Sequence, residues 1–184
     1  AAILAFGFLF YVYFYYWAFA TVLMSILSVL LLFFNKEKAF IAIKILFGGL
    51  VVSLPYWFKV LSLRANPLYG ELSARVGLEY SRNFIMSSMD AYILAVILTV
   101  LLIWLGKKRG ETVTGVFLGA ALLSYAVVLN MQIVIGFNIQ PDHWGSRVNI
   151  YVLSLAVMIA LFWGLEFLSG KNKKLIPSSI IISV

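Results

Sequence analysis

The chain contains no cysteine, a single histidine and only seven acidic residues among 184. Without cysteine there is no disulfide framework, thiolate nucleophile or cysteine-ligated metal site. One histidine, His143, cannot form a histidine-rich metal site, so no cofactor is evident and a divalent cation is not indicated. Charged residues make up only 11% of the chain, against about 25% in a typical soluble domain. This composition excludes an ordinary soluble protein.

Apolar residues make up 64% of the chain and aromatic residues 16%. Runs of about 20 apolar residues recur, each long enough to cross the hydrocarbon core of a bilayer as a helix. We therefore predict one all-α transmembrane bundle of about five to seven spans, with the lipid bilayer as its first partner. The predicted spans cover residues 1–16, 18–34, 39–57, 86–105, 112–135, 148–168 and 175–184.

Both ends of the sequence predict a fragment of a longer protein. The first residue is not methionine, and the last residues lie inside an apolar run. Residues 1–34 would form a helix of about 50 Å, too long for one span, so we expect a break near the aromatic run at 13–19.

The net charge of +7 indicates membrane topology rather than nucleic-acid binding. Three short connections are rich in lysine: NKEK at 35–38, KKRG at 107–110 and KNKK at 171–174. Under the positive-inside rule these turns are cytoplasmic, so the longer loops at 58–85 and 136–147 face outward. A location in a bacterial cytoplasmic membrane is expected.

The first outer loop keeps several basic residues on the side that the rule disfavours, which suggests that it binds an anion. They are Lys59, Arg64, Arg75 and Arg82. Residues 71–80 read as an amphipathic helix in which Arg75 pairs with Glu71 and Glu79 at i,i+4 spacing. A salt-bridged helix on the membrane surface explains the same pattern without any binding role.

The second outer loop gathers polar groups in the stretch NMQIVIGFNIQPDHWGSR, residues 130–147. Pro141 and Asp142 suit the start of a helix, where proline loses no needed N–H group and a carboxylate meets the positive dipole end. From that start, His143, Arg147 and Tyr151 share one face. A helix N-terminus with arginine and histidine is a good phosphate site.

Structural roles without any ligand explain most of the same residues. Trp144 fits the aromatic belt of a membrane protein, and Arg147 fits a flank residue whose charge reaches the interface. Asn130 and Gln132 can join helices by hydrogen bonds. A lone histidine at membrane depth usually has a partner or a function, and binding a heme or chlorophyll is a minor alternative for His143.

The block N-x-Q, then Gly, then Q-P-x-H-W resembles a segment of large bacterial polytopic membrane proteins whose layout is similar to the GT-C class of membrane glycosyltransferases. The matching positions are Asn130, Gln132, Gly136, Gln140, Pro141, His143 and Trp144, and more weakly Arg75 and Gly77. The resemblance covers residues 64–150, and Ile135 departs from the threonine expected before the glycine. It implies a sugar donor carried on polyprenyl phosphate at the outer face, with the catalytic acid in a segment that this chain lacks.

The leading hypothesis is accordingly a membrane-embedded glycosyltransferase acting on an isoprenoid phosphate lipid. The predicted phosphate and substrate site comprises His143, Arg147, Arg75, Arg82, Gln140, Asn130 and Gln132. Asp142 or Glu71 would position an acceptor hydroxyl, and no catalytic base is assigned. A transporter or channel fragment and a non-catalytic subunit packed against other membrane proteins are the alternatives.

Overall fold

The computed structural model describes residues 1–141 and 143–169. Most of this part is helical, and its two strands have three residues each. The helices are α1 (Ala2–Phe8), α2 (Phe14–Phe34), α3 (Lys36–Val52), α4 (Leu54–Arg64), α5 (Tyr69–Arg75), α6 (Met89–Arg109), α7 (Thr112–Leu129), α8 (Gln132–Ile135) and α9 (Ile150–Leu168). The strands are β1 (Leu78–Tyr80) and β2 (Phe137–Ile139); 3-10 turns cover Leu9–Tyr11 and Met86–Ser88, and a π-helical segment covers Gly145–Asn149.

The prediction of an all-α polytopic bundle is confirmed. Within the described residues, four helices are long and apolar enough to cross a membrane: Phe14–Phe34, Met86–Arg109, Thr112–Leu129 and Gly145–Leu168. The bent pair of α3 and α4 counts as a fifth if it forms one span. Many large apolar side chains are exposed on these helices, as expected of surfaces that face lipid. The span predicted at 175–184 lies outside the described residues.

The two longest apolar stretches near the N-terminus are each interrupted. The first breaks at Val12 and Tyr13, at the edge of the predicted aromatic break, and α2 begins at Phe14. The span predicted over 39–57 is not straight, because α3 and α4 meet at Ser53 with a bend of 49°. Pro55 explains the bend, since it has no N–H group to donate to the preceding helical turn.

The chain path gives the bundle two distinct ends. At one, called the lysine end here, the α2–α3 turn packs near the α6–α7 turn through Leu31, Ala39 and Val116. At the other, called the loop end, Tyr15 and Trp144 pack against α7 beside the strands and α8. Two of the three lysine-rich turns therefore share one end; the third, at 171–174, lies outside the described residues.

A buried ion cluster joins three helices at the lysine end. The guanidinium of Arg109, at the end of α6, contacts the carboxylate of Glu166 in α9 and lies 3.3 Å from that of Glu111. Its carbon also lies 5.9 Å and 5.6 Å from the ring centroids of Phe162 and Trp163. The three charged side chains are only about one tenth exposed. The cluster therefore links the end of α6 to the start of α7 and to the last turn of α9.

Close packing of α6 on α7 depends on two glycines spaced four residues apart. A Cβ atom at Gly115 would lie 2.4 Å from the carbonyl oxygen of Leu102, and one at Gly119 would lie 2.7 Å from Cγ2 of Thr99. The Thr99 hydroxyl donates a hydrogen bond to the Gly119 carbonyl at 3.2 Å. Small residues in this pattern let membrane helices approach closely.

We expect Gly115→Ala to lower the free energy of unfolding by about 1–3 kcal/mol, the usual cost of overpacking a core. The added methyl group meets backbone atoms of α6, which cannot rotate away as a side chain can. Unfolding in detergent micelles by sodium dodecyl sulfate measures the change. Gly164→Ala in α9 is the matched control, since no atom lies within 4 Å of its added Cβ. Equal stability of the two variants would contradict the packing argument.

Candidate functional site

The two outer loops predicted from the sequence meet in a short antiparallel ribbon at the loop end. β1 pairs with β2 in the register Leu78 to Ile139, Glu79 to Asn138 and Tyr80 to Phe137. The backbone N–H of Gln140 donates a hydrogen bond to the Gly77 carbonyl at 3.0 Å, which continues the strand pairing. The ribbon joins the segment before α6 to the segment before α9.

This ribbon corrects the helix predicted over residues 71–80, because α5 ends at Arg75. Gly77 has a φ of +68°, which ends the helix and turns the chain into β1. A Cβ atom at Gly77 would also lie 2.6 Å from Cγ of Gln140. The pattern of 71–80 allows a helix, but pairing with a strand about 60 positions away determines its structure.

Asn138 is the centre of a buried hydrogen-bond network beneath the ribbon. Its Nδ2 donates to the carbonyls of Val128 and Leu129 at 3.2 Å and 3.0 Å, and to Oε1 of Gln132 at 3.0 Å. Its Oδ1 accepts from the indole N–H of Trp144 at 3.1 Å. Asn138 is 2% exposed and Trp144 is fully buried. The network gives hydrogen-bond partners to the last two carbonyls of α7. It also holds Trp144, in the segment that leads into α9 and is called the His143 arm here (residues 139–141 and 143–149).

Asn130 and Gln132 extend the network to the chain entering α6. The amide group of Asn130 accepts from the Ile85 N–H at 2.8 Å and donates to the Tyr92 hydroxyl at 2.8 Å. Gln132 donates to the Asn83 carbonyl at 2.9 Å. Both side chains are buried. Their amides bond to protein groups, and so they fix the two loops relative to each other.

The side chain of Arg82 caps the C-terminal end of the short helix α8. Its guanidinium donates to the carbonyls of Ile133 and Val134 at 3.1 Å and 3.5 Å. Gly136 follows with a φ of +84°, which turns the chain from α8 into β2. Both carbonyls belong to the last turn of α8, and a basic side chain at a helix C-terminus commonly binds such carbonyls.

His143 and Arg147 line a cavity of about 290 Å³ at the loop end, as does Tyr151. Tyr16 and Ser146 complete its lining. These are exposed side chains around an open depression, with Arg147 as the permanent charge.

The backbone around this cavity is irregular. Gln140 has a φ of +40°, and its carbonyl accepts from the His143 N–H at 2.9 Å, which starts the helical turn after Pro141. Pro141 lies in a turn, so it is not the first residue of a helix as predicted, whereas His143 and Trp144 are helical. The π-helical segment that follows contains Arg147. Such segments are rare and occur often at functional sites.

Tyr15 connects α2 to the His143 arm. Its hydroxyl lies 3.1 Å from the Ile139 carbonyl and 3.3 Å from Oε1 of Gln140. Its ring centroid lies 4.7 Å from that of Trp144 and 6.3 Å from that of His143. Tyr15 therefore sets the position of α2 against the chain that carries His143.

The predicted site residues do not all come together. Arg75, Arg82 and Glu71 do not line the His143 cavity. Neither predicted ion pair of Arg75, with Glu71 or with Glu79, is formed. Gln140, Asn130 and Gln132 belong to the ribbon and network, and Asp142 lies outside the described residues.

Sequence reasoning missed Tyr15, Tyr16 and the central role of Asn138. The two tyrosines belong to the aromatic run at 13–19, which was interpreted only as a break between spans. Their contact with the His143 arm joins positions more than 120 apart in the chain, and no local pattern shows that. Asn138 lies among several amides in the 130–147 stretch, of which Asn130 and Gln132 are also buried, and only its hydrogen-bond partners in the fold distinguish it from them.

Within residues 1–141 and 143–169, no group of three histidine, cysteine or acidic side chains is arranged to hold a metal ion. No protein-family model, curated protein or solved structure matches this chain.

Proposed function

We propose that this chain is the membrane domain of a GT-C-like glycosyltransferase that binds a polyprenyl-phosphate-linked donor at the loop end. The observation that carries the proposal is the His143 cavity, in which an arginine and the only histidine of the chain face the same 290 Å³ space. Arg147 donates charge-assisted hydrogen bonds to phosphate oxygens, and His143 donates a further one. In group transfer, these donors stabilise the charge that develops on the departing phosphate.

The surroundings of the cavity support a lipid-linked phosphate. Tyr151 lines it at 70% exposure, one turn along the chain from Arg147 and at the start of a span. A carrier whose phosphate lies on Arg147 can therefore keep its apolar chain against the outer surface of α9. Asn138, Asn130 and Gln132 act as positioning residues, because they hold the arm that carries His143.

The charge distribution supports an extracytoplasmic location for the cavity. The turns containing Lys36, Lys38, Lys107 and Lys108 lie at the opposite end of the bundle. Under the positive-inside rule that end is cytoplasmic, in a bacterial cytoplasmic membrane in this proposal. Conduction through the bundle has less support, since the buried ion cluster of the described residues lies at the lysine end and the helix breaks lie at the loop end.

The test is binding of farnesyl phosphate, a short isoprenoid phosphate, to the purified protein by isothermal titration calorimetry. We expect the double variant His143→Ala, Arg147→Ala to weaken binding about 10–100-fold, because a hydrogen bond to a charged group contributes about 1.5–3 kcal/mol. Binding of farnesol, which has no phosphate, should be unchanged.

Arg75→Ala is the matched control for this prediction. It removes the same charge from the same end of the protein but does not alter the lining of the cavity. The cavity assignment fails if Arg75→Ala weakens farnesyl phosphate binding as much as the double variant does. It also fails if the double variant binds farnesyl phosphate as the parent protein does.

A further inference from the structure

A second cavity, of about 350 Å³, lies between α4 and the chain entering α2. The face of α4 that lines it carries Tyr56, Lys59, Val60 and Leu63, at helical spacing. Opposite them are aromatic side chains of the 3-10 turn and the start of α2. The bend at Ser53 creates this groove, since it directs α4 away from the line of α3.

The wall opposite α4 is aromatic and closely packed. The ring of Phe10 stacks on Trp17 with a centroid distance of 4.9 Å and meets the edge of Trp57 at 5.8 Å. Phe10 is 2% exposed, so this wall is packed from behind. In contrast, α4 has no buried residue. One side of the groove is thus preformed, while the facing helix presents side chains that the protein covers only in part, with Tyr56 and Val60 half-buried and Lys59 exposed.

The charge in the groove has one sign. Lys59 is the one charged residue among those that line it, and within the described residues it forms no salt bridge. It is exposed on α4, as are Tyr11 and Tyr13 on the opposite rim. The ammonium group of Lys59 and the phenolic hydroxyls of Tyr11 and Tyr13 lie at the rim, and aromatic rings line the groove. This arrangement complements an amphipathic ligand with an anionic headgroup and an apolar remainder.

We propose that this groove binds one anionic phospholipid of the surrounding bilayer. The headgroup phosphate accepts hydrogen bonds from the Lys59 ammonium, and the glycerol region lies against Trp17 and Tyr56. The volume suits a headgroup with its glycerol, with the acyl chains running down the exposed surface of the bundle. The groove is distinct from the His143 cavity, since the two share no lining residue. The proposal does not depend on the transferase function.

Titration of the detergent-solubilised protein with phosphatidylglycerol, followed by native mass spectrometry, tests the proposal. Phosphatidylcholine with the same acyl chains provides the comparison without a net charge. We expect Lys59→Ala to weaken the first phosphatidylglycerol binding step about fivefold, the effect of one interfacial lysine. Phosphatidylcholine should lose less affinity, because its choline ammonium offsets the phosphate charge that Lys59 faces, and Lys59→Arg should retain the parent affinity. Val60→Trp, which fills the groove, should weaken binding of both lipids.

Lys38→Ala is the matched control, because it removes the same charge from an exposed position at the lysine end. An unchanged affinity in Lys59→Ala would overturn the proposal. Displacement of the lipid by millimolar inorganic phosphate would overturn it as well, since it would indicate a site for free anions.

Discussion

Replacing Arg109 with alanine is expected to lower the free energy of unfolding by about 3–5 kcal/mol, the cost of breaking a buried ion pair by removing one partner. Arg109 is the cation that faces both Glu111 and Glu166. Without it, two carboxylates about nine tenths buried lie near each other with no compensating charge. The loss of contact with the rings of Phe162 and Trp163 adds to the effect.

Unfolding by sodium dodecyl sulfate in mixed micelles measures this change. Lys107→Ala provides the control, because Lys107 is an exposed basic residue in the same last turn of α6. Its substitution should change stability by less than about 0.5 kcal/mol, as surface substitutions usually do. If Arg109→Ala is as stable as Lys107→Ala, the cluster does not hold the lysine end together.

Asn138→Ala is the second substitution with a large expected effect, about 2–4 kcal/mol of unfolding free energy. The substitution removes hydrogen bonds and leaves their buried partners unsatisfied, and each unsatisfied buried group costs about 1–3 kcal/mol. The partners left without Asn138 include the indole N–H of Trp144 and Oε1 of Gln132. A cavity beneath the β1–β2 ribbon adds to the loss.

The effect of Asn138→Ala should be local, which hydrogen exchange can show. We expect faster amide exchange at residues 78–80 and 137–139, while the middle of α6 and α7 stays protected. The same variant should weaken farnesyl phosphate binding, because it releases the arm that carries His143. Asn138→Asp keeps the side-chain shape and an acceptor for Trp144 but loses the Nδ2 donor, so it should also be destabilising. Unchanged exchange at the ribbon in both variants would contradict the role assigned to Asn138.

The sequence determined the class of fold because hydrophobic runs of membrane-spanning length depend only on local composition. The same local patterns located the lysine-rich turns at 35–38 and 107–110, the two long loops, and the i,i+4 spacing of His143 and Arg147, which line one cavity. Helix breaks were partly predictable. The aromatic run indicated the first break, but the bend at Ser53 followed from Pro55, which the sequence interpretation placed inside a single span.

Only the tertiary structure decided how the two loops meet. Residues 71–80 have the pattern of a surface helix, and a ribbon to residues 137–139 replaced its second half, because long-range pairing and the φ of Gly77 outweighed local preference. The amides of Asn130 and Gln132 bond to loop backbone, and the guanidinium of Arg82 bonds to the end of α8. Composition shows that polar groups are present, but their partners depend on which distant segments the fold brings together. For this reason the sequence alone determined a membrane bundle with polar groups gathered in its two long loops, and the tertiary structure decided which of those polar groups support the site and which face its cavity.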